Sequence, residues 1–343
     1  MQSIAYILPG VVIYRRGLVL LLAALSGVSL LLTLRARQGK PLFDAAALTA
    51  LSSVLALPCA RALHWYCNTG IYPSFRAAMT DYSAGGFTAL GVVAAVLLSA
   101  LILRGTGVLR ELPSLLDCAA PAGALALSLG RLSCLFTAED RSKFTLQNPA
   151  LRRFPLMVSS TLPSGGTEWR IATFALESIS CALLCAVFLL MFSSLRSRKR
   201  HRKAWKDGNV FWLTAAAYGA VTVVLDSTRY DALYLRSNGF VSLTQICCVA
   251  AILAPTVLYS VRSVKFHGLR GYHIVIWVLW AAFGGLGGYM EYYVQRHAAE
   301  FLKAYAVMEC SFLLLFVLVC VLCGTTAVGS GKHGSTAVHG GNE

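Results

Sequence analysis

Charge is scarce in this sequence: Asp, Glu, Lys and Arg make up only 13% of its 343 residues, against roughly 25% in an average soluble domain. Apolar residues reach 57% and the mean hydropathy is +0.65. Disordered chains, coiled coils and water-soluble globules all need more charge than this, so those classes are excluded. Acidic residues are scarcer still, with fifteen Asp and Glu facing thirty Lys and Arg, a formal net charge of +15. Such an excess often marks a nucleic-acid binder. Here the cations concentrate between apolar runs, so membrane lipid headgroups are the expected anionic partner and nucleic acid is not.

Metal and disulfide signatures are missing as well. The eleven cysteines are odd in number and most lie inside apolar runs (Cys181, Cys185, Cys247, Cys248, Cys310, Cys320, Cys323). No CxxC pair faces a second pair or two histidines, so neither a zinc site nor a disulfide framework is expected, and these cysteines are expected to pack as small apolar residues. A cleaved signal is not indicated either, because Tyr14-Arg15-Arg16 leads into a full-length apolar stretch without a small-residue cleavage pattern. No repeat of 20–50 residues is seen.

What is present is a succession of apolar runs long enough to cross a lipid core about 30 Å thick. Nine candidates fall near 17–34, 45–66, 86–103, 115–136, 171–195, 210–226, 243–261, 273–294 and 304–324, the second interrupted by Pro58 and Arg61. The fold class expected is an all-α polytopic transmembrane bundle. The connection 196–209 holds the densest basic cluster (Arg196, Arg198, Lys199, Arg200, Arg202, Lys203, Lys206), and the positive-inside rule assigns it to the cytoplasm. Arg35, Arg37, Lys40, Arg262, Lys265 and Arg270 then share that side, and the N-terminus lies outside. The long segment 137–170 is outside despite Arg141, Lys143, Arg152, Arg153 and Arg170. Either it binds anionic groups, or it is a long translocated loop that escapes the rule. The glycine- and serine-rich residues 327–343 are expected to form a disordered tail.

Ionisable residues within spans cost a few kcal/mol or more and so point to structure or function. Arg61, Asp117, Arg131, Glu177, Asp226, Glu291 and Glu309 qualify, with Glu139 and Arg229 just beyond span ends. Asp226 and Arg229, three apart on one helical face, are expected to pair. Arg131 has no acid three or four residues away, so its partner must come from another helix or from a bound anion. Two guanidiniums converging from different helices make a planar, multi-donor site for phosphate. Glu291 and Glu309 either pair with Arg296 or Lys303 or belong to a proton relay, although no inverted repeat of the transporter kind is seen.

The order of residues resembles one family, the bacterial prolipoprotein diacylglyceryl transferases. Asp117-Cys118-Ala119-Ala120-Pro121, followed by Gly130-Arg131, Phe136 and Glu139, is similar to its D-x-x-A-P and G-R-x-G-N-F-x-N-x-E motifs. Arg61 stands where the family has G-x-R, and Gly85-Gly86-Phe87-Thr88 resembles the start of G-G-x-S-F-H-G-G. Phe174-Ala175-Leu176-Glu177 is similar to Q-L-Y-E. Tyr218-Gly219, Asp226, Arg229, Gly239 and Gln245 follow in the family's order. The likeness covers about residues 5–260 and leaves the last two spans unmatched. It implies a seven-helix core (1–262), two added spans (263–326), residence in the bacterial plasma membrane and no metal or organic cofactor. It also implies transfer of the diacylglyceryl group of phosphatidylglycerol to the lipobox thiol of prolipoprotein signal peptides. By matching position, Arg131 and Arg229 would clamp the phosphate while Glu139 and Asp226 orient them or accept protons. Arg61, Gly85, Gly86, Cys134, Glu177 and Gln245 would contact substrate.

The departures are specific. Leu90 stands at the family's histidine, Ser133 and Cys134 replace its glycine and asparagine, Thr137 its second asparagine, and Leu176 its tyrosine. His64, beside Trp65 and Tyr66, is either a substitute base or an interfacial anchor. Cys134, three residues past Arg131, is either a thiol activated by that guanidinium or a small filler of the asparagine's space. A divergent transferase and a lipid-binding relative without the chemistry both remain open at this level.

Overall fold

The computed structural model describes residues 4–8, 11–81, 86–145, 148–161, 166–197, 207–235 and 238–332. Its long helices are α1 (Arg15–Arg37), α2 (Leu42–Cys67), α4 (Ala89–Gly105), α5 (Leu112–Leu132), α6 (Thr173–Ser197), α7 (Asn209–Thr228), α8 (Leu243–His267), α9 (Gly271–Arg296) and α10 (Phe301–Lys332), with a short α3 (Phe75–Thr80) after α2. Eight of them are long and apolar enough to cross a membrane, and α4 is a shorter apolar helix. The protein is an all-α polytopic membrane bundle.

The runs form helices because each holds about 20 apolar residues, and in lipid only a helix satisfies its own backbone donors and acceptors. Pro58 and Arg61 do not break α2, which runs through both. The last helix extends to Lys332, into the segment expected to be a tail. Most of the basic connection 198–206 lies outside the described residues.

Short strands lie between the helices, forming three two-stranded antiparallel sheets that the helical pattern did not reveal. Near the N-terminus β1 (Ile4–Leu8) pairs with β2 (Val11–Tyr14). In the connection from α5 to α6, β3 (Met157–Thr161) pairs with β4 (Thr167–Ile171). Between α7 and α8, β5 (Tyr234–Leu235) pairs with β6 (Asn238–Ser242).

Two buried clusters hold the helices together. Leu31, Leu48, Ala100 and Leu115 join α1, α2, α4 and α5. A larger one takes Val223 from α7, Ile252 from α8, Val294 from α9 and Leu315 from α10, so the two added helices share a core with the matched region. A polar seam reinforces that junction. Glu291 of α9 accepts from Ser227 Oγ at 2.6 Å, Gln245 Nε2 at 3.2 Å and Gln295 Nε2 at 3.3 Å, and pairs with neither Arg296 nor Lys303.

Asp117 lies far along α5 from Arg131 and caps α7, accepting from the Gly208 N–H at 2.7 Å and the Phe211 N–H at 2.8 Å. Asp117→Ala should therefore cost about 1–2 kcal/mol, read as a lower midpoint in thermal unfolding of the detergent-solubilised protein. Helices α2 and α4 meet at Gly91, where a Cβ would stand 2.4 Å from the Ala60 Cα. That neighbour is backbone, so Gly91→Ala must push the helices apart. About 1–3 kcal/mol of destabilisation is expected in the same assay.

Candidate functional site

Five elements end at the same end of the bundle and bring charges together there. Arg131 sits in the last turn of α5, Glu177 in the first turns of α6, and Asp226 at the end of α7, with Arg229 just beyond it. Ser242 caps α8, and the segment after α5 runs back antiparallel to the chain after α7. That segment is fixed by an isolated bridge between Ser142 and Arg229 and by the Lys143 N–H donating to the Thr228 carbonyl at 2.8 Å. It carries Asp140 into the space between the two arginines.

Asp140 is the centre of the arrangement. Arg131 Nη1 donates to its Oδ2 at 2.6 Å, Arg229 Nη2 reaches its Oδ1, and the Cys134 thiol donates to Oδ2 at 3.1 Å. Its own N–H donates to Asp231 Oδ2 at 3.0 Å, and its carbonyl accepts from the Phe174 N–H at 3.1 Å. The residue is buried and holds a φ of +56°, a left-handed conformation that aspartate tolerates better than most side chains. Burial alone would push its carboxyl up. The guanidiniums of Arg131 and Arg229 outweigh that and hold it down at about 2.

Further nitrogens of both arginines also meet acids. Arg131 Nε lies 2.9 Å from Glu177 Oε2, an ion-pair contact rather than a directed hydrogen bond, and Glu177 accepts from the Tyr218 hydroxyl at 2.9 Å. Arg229 Nη1 is 3.4 Å from Asp226 Oδ1 and its Nε is 3.1 Å from Asp231 Oδ1. Asp226 in turn accepts from the Ser242 hydroxyl. Two cations thus face four carboxylates. Arg131, Arg229, Asp226, Glu177 and Tyr218 are brought together, and Asp226 pairs with Arg229 as their spacing predicts. The point where the guanidiniums meet is occupied by a carboxylate rather than left open for an anion.

Of the other sequence-derived site residues, Cys134 touches the cluster through Asp140, and the others among the described residues contact different groups. Glu139 turns to α1, accepting from Arg16 Nη1 at 2.6 Å with a second ion-pair contact to Nη2. Arg61 is buried and spends its donors on backbone carbonyls, Nε to Ala78 at 2.5 Å, Nη1 to Gly86 at 3.2 Å and Nη2 to Asp81. With Tyr72 and Phe87 4.8 and 5.4 Å from its guanidinium carbon, it ties the chain after α2 to the bundle. Gly86 has φ +84°, and a Cβ there would come within 2.8 Å of Tyr72, His64 and Arg61 atoms, so only glycine fits. Gly85 lies outside the described residues. Gln245 completes the α8 capping box with Ser242 and bonds Glu291. It therefore supports the site from below. Cys134 is buried and meets a carboxylate, not a free guanidinium. Leu90 is half-buried in the first turn of α4, and His64 Nδ1 lies 3.3 Å from the Tyr72 hydroxyl.

Asp140 and Asp231 are the residues that sequence reasoning missed. Neither falls on a motif position, and their one signal is adjacency: Asp140 follows Glu139 directly and Asp231 stands two past Arg229.

Comparison with known proteins identifies relatives of this chain. The chain is 28% identical over 151 residues to the phosphatidylglycerol–prolipoprotein diacylglyceryl transferases of two strains of Lactobacillus delbrueckii subsp. bulgaricus, covering 44% of this chain. It spans about half the length of these curated relatives, 51%. A family model described as prolipoprotein diacylglyceryl transferase matches residues 3–261, which takes in every member of the arginine–carboxylate cluster and stops before α9. The chain belongs to the prolipoprotein diacylglyceryl transferase family.

Proposed function

We propose that this protein transfers the diacylglyceryl group of phosphatidylglycerol to the lipobox cysteine of a prolipoprotein at the plasma membrane. A cysteine thiolate attacks the glyceryl carbon that bears the phosphate. A carbon–sulfur bond forms, the carbon–oxygen bond breaks with its electron pair on oxygen, and glycerol phosphate leaves. The thiol proton passes to a base. The observation that carries the reading is the meeting of Arg131 and Arg229, from two different helices, at one end of a chain that belongs to this family.

The charge on the departing phosphate grows as the bond breaks, and two fixed guanidiniums offset it. Because Asp140 now stands between them, the headgroup phosphate takes the place of its carboxylate. The exchange requires the Asp140 carboxylate to turn away while its backbone stays anchored to Asp231 and Phe174. Asp226 keeps Arg229 oriented, and Glu177 does the same for Arg131.

A second reading has its own observation. The carboxylate already filling the clamp, together with Leu90 at the family's histidine, favours a lipid-binding relative that does not perform the transfer. One assay separates the two. The purified protein is incubated with phosphatidylglycerol vesicles and a lipobox peptide while glycerol phosphate and peptide mass are followed. Release of glycerol phosphate with a matching mass gain on the cysteine is expected. No product, under conditions where an active family member modifies the same peptide, would leave the lipid-binding reading.

A further inference from the structure

At the opposite end of α8 from the cluster lies a feature that the transfer reaction does not use. Between the C-terminal part of α8 and the start of α9 runs an open, apolar groove of about 430 Å³, lined by Val264, Leu269, Ile274, Trp277 and Val278, with Ser260 beside them. A second hollow of about 400 Å³ continues it along Val257, Val261 and Lys265. Helix α8 has 25 residues, so roughly 37 Å separates this end from Ser242 and Asp226.

Three observations define what fits. First, the rim is cationic: Arg262, Lys265, His267 and Arg270 surround the turn, and no Asp or Glu occurs anywhere from Ala232 to Met290. Lys265 and Arg270 are exposed. The neighbouring elements supply no competing acid among the described residues. Arg262 is held by Asn209 Oδ1 at 3.3 Å, Asp117 is committed to capping α7, and Asp207 lies 3.9 Å from Lys40.

Second, Ser260 is only 7% exposed, yet its hydroxyl has no hydrogen-bond partner among the described residues. The hydroxyls nearest to it along α8 are satisfied. Thr256 donates to the Ile252 carbonyl at 2.8 Å, and Ser263 is shared among His273, Tyr272 and Thr325 at 2.9–3.1 Å. A buried hydroxyl without a partner beside an apolar groove calls for an acceptor supplied by an occupant.

Third, the levels match. Ser260 lies seven residues before the end of α8 and Trp277 six residues after the start of α9, both roughly 10 Å below the cationic turn. Tryptophan favours that depth because it is the boundary between headgroups and acyl chains.

We infer that this groove is a binding site for one anionic phospholipid, with the phosphate between Lys265 and Arg270, the glycerol backbone past Val264 and Ile274, an ester carbonyl accepting from Ser260, and an acyl chain running deeper past Trp277 along Val257 and Ala281. The positive-inside rule puts this end on the cytoplasmic side, so the lipid comes from that leaflet. A zwitterionic lipid offers the same chains and carbonyls but no net charge for the rim, which makes the site selective. The site is separate from the arginine cluster and stands whether or not the transfer occurs.

Native mass spectrometry of the purified protein, delipidated and titrated with phosphatidylglycerol or phosphatidylcholine of identical chains, tests it. The wild type should prefer phosphatidylglycerol for one bound lipid. Each cation near a membrane surface strengthens binding of an anionic lipid about fivefold, so Lys265→Gln/Arg270→Gln should cut that preference about 30-fold. Arg131→Ala should leave it in place, which separates this lipid from any at the cluster. Phosphatidylglycerol with brominated chains should quench the fluorescence lost in Trp277→Phe, and quench it less after the rim is neutralised. Equal affinity for the two lipids, or a preference and quenching unchanged in the double variant, would overturn the assignment. Both rim residues are exposed, and because the Arg270 side chain also donates to the His267 carbonyl at 3.3 Å, the thermal midpoint of the double variant is measured beside its binding.

Discussion

Asp140→Ala should lower the stability of the protein by about 3 kcal/mol, although the residue lies on no family motif and outside every membrane span. Among the described residues its carboxylate is the one acid paired with both guanidiniums. Removing it leaves Arg131 with Glu177 and Arg229 with Asp226 and Asp231, but sets two buried cations against each other without a bridge. The pH dependence makes the same point independently. The carboxyl sits at about 2 in the folded protein against an ordinary 3.8, a difference worth about 2 kcal/mol by linkage. A depressed carboxylate stabilises above its unfolded pKa, and that contribution disappears as pH falls from about 4 to about 2. Thermal midpoints of wild type and variant should therefore differ most at neutral pH and converge in acid. A difference that persists unchanged at pH 2 would show that Asp140 acts through packing rather than charge.

Arg131→Ala and Arg229→Ala should each reduce glycerol phosphate release about 100- to 1,000-fold, the usual loss when one preorganised donor to a developing anion is removed. Alanine also strands buried acids, Glu177 in the first case and Asp226 in the second, so folding must be monitored beside activity. Arg131→Lys and Arg229→Lys separate the two effects. Lysine keeps the charge that neutralises the acids but loses the planar fork that holds two oxygens at once. The lysine variants should retain most of the thermal stability while still losing at least about tenfold in rate. Full activity in all four variants would remove the arginines from the reaction.

Much of the bundle is legible in the chain because lipid imposes a strict rule. A span must be apolar and must close its own backbone hydrogen bonds, so apolar length alone locates helices such as α6, α7 and α10. The same rule makes Arg131, Glu177 and Asp226 conspicuous, since a charge within a span is expensive and asks for a partner. Sequence pattern does not say which partner. Arg61 illustrates the limit: the motif gives its place in the resemblance, but no spacing rule connects it to the backbone carbonyls of Ala78, Asp81 and Gly86 that its donors reach. The resemblance gives Glu139 an orienting or proton-accepting role, and no spacing rule reveals that the path of the chain sets it against Arg16. For Glu291 the sequence leaves a basic neighbour and a proton relay both open, and the structure holds it with a serine and two glutamines.

By itself the sequence determined that this chain lives in a membrane, about where its helices run, that Asp226 and Arg229 can pair, and that Arg131 needs a partner from elsewhere. These follow from local terms, apolar length and the cost of a buried charge, which depend little on what lies across the bundle. Only the tertiary structure decided that the arginines meet on Asp140, and that Ser260 and Trp277 share a groove beneath Lys265 and Arg270. Those contacts join segments that are distant in sequence or lie on separate helices, and their geometry is set by how the helices pack.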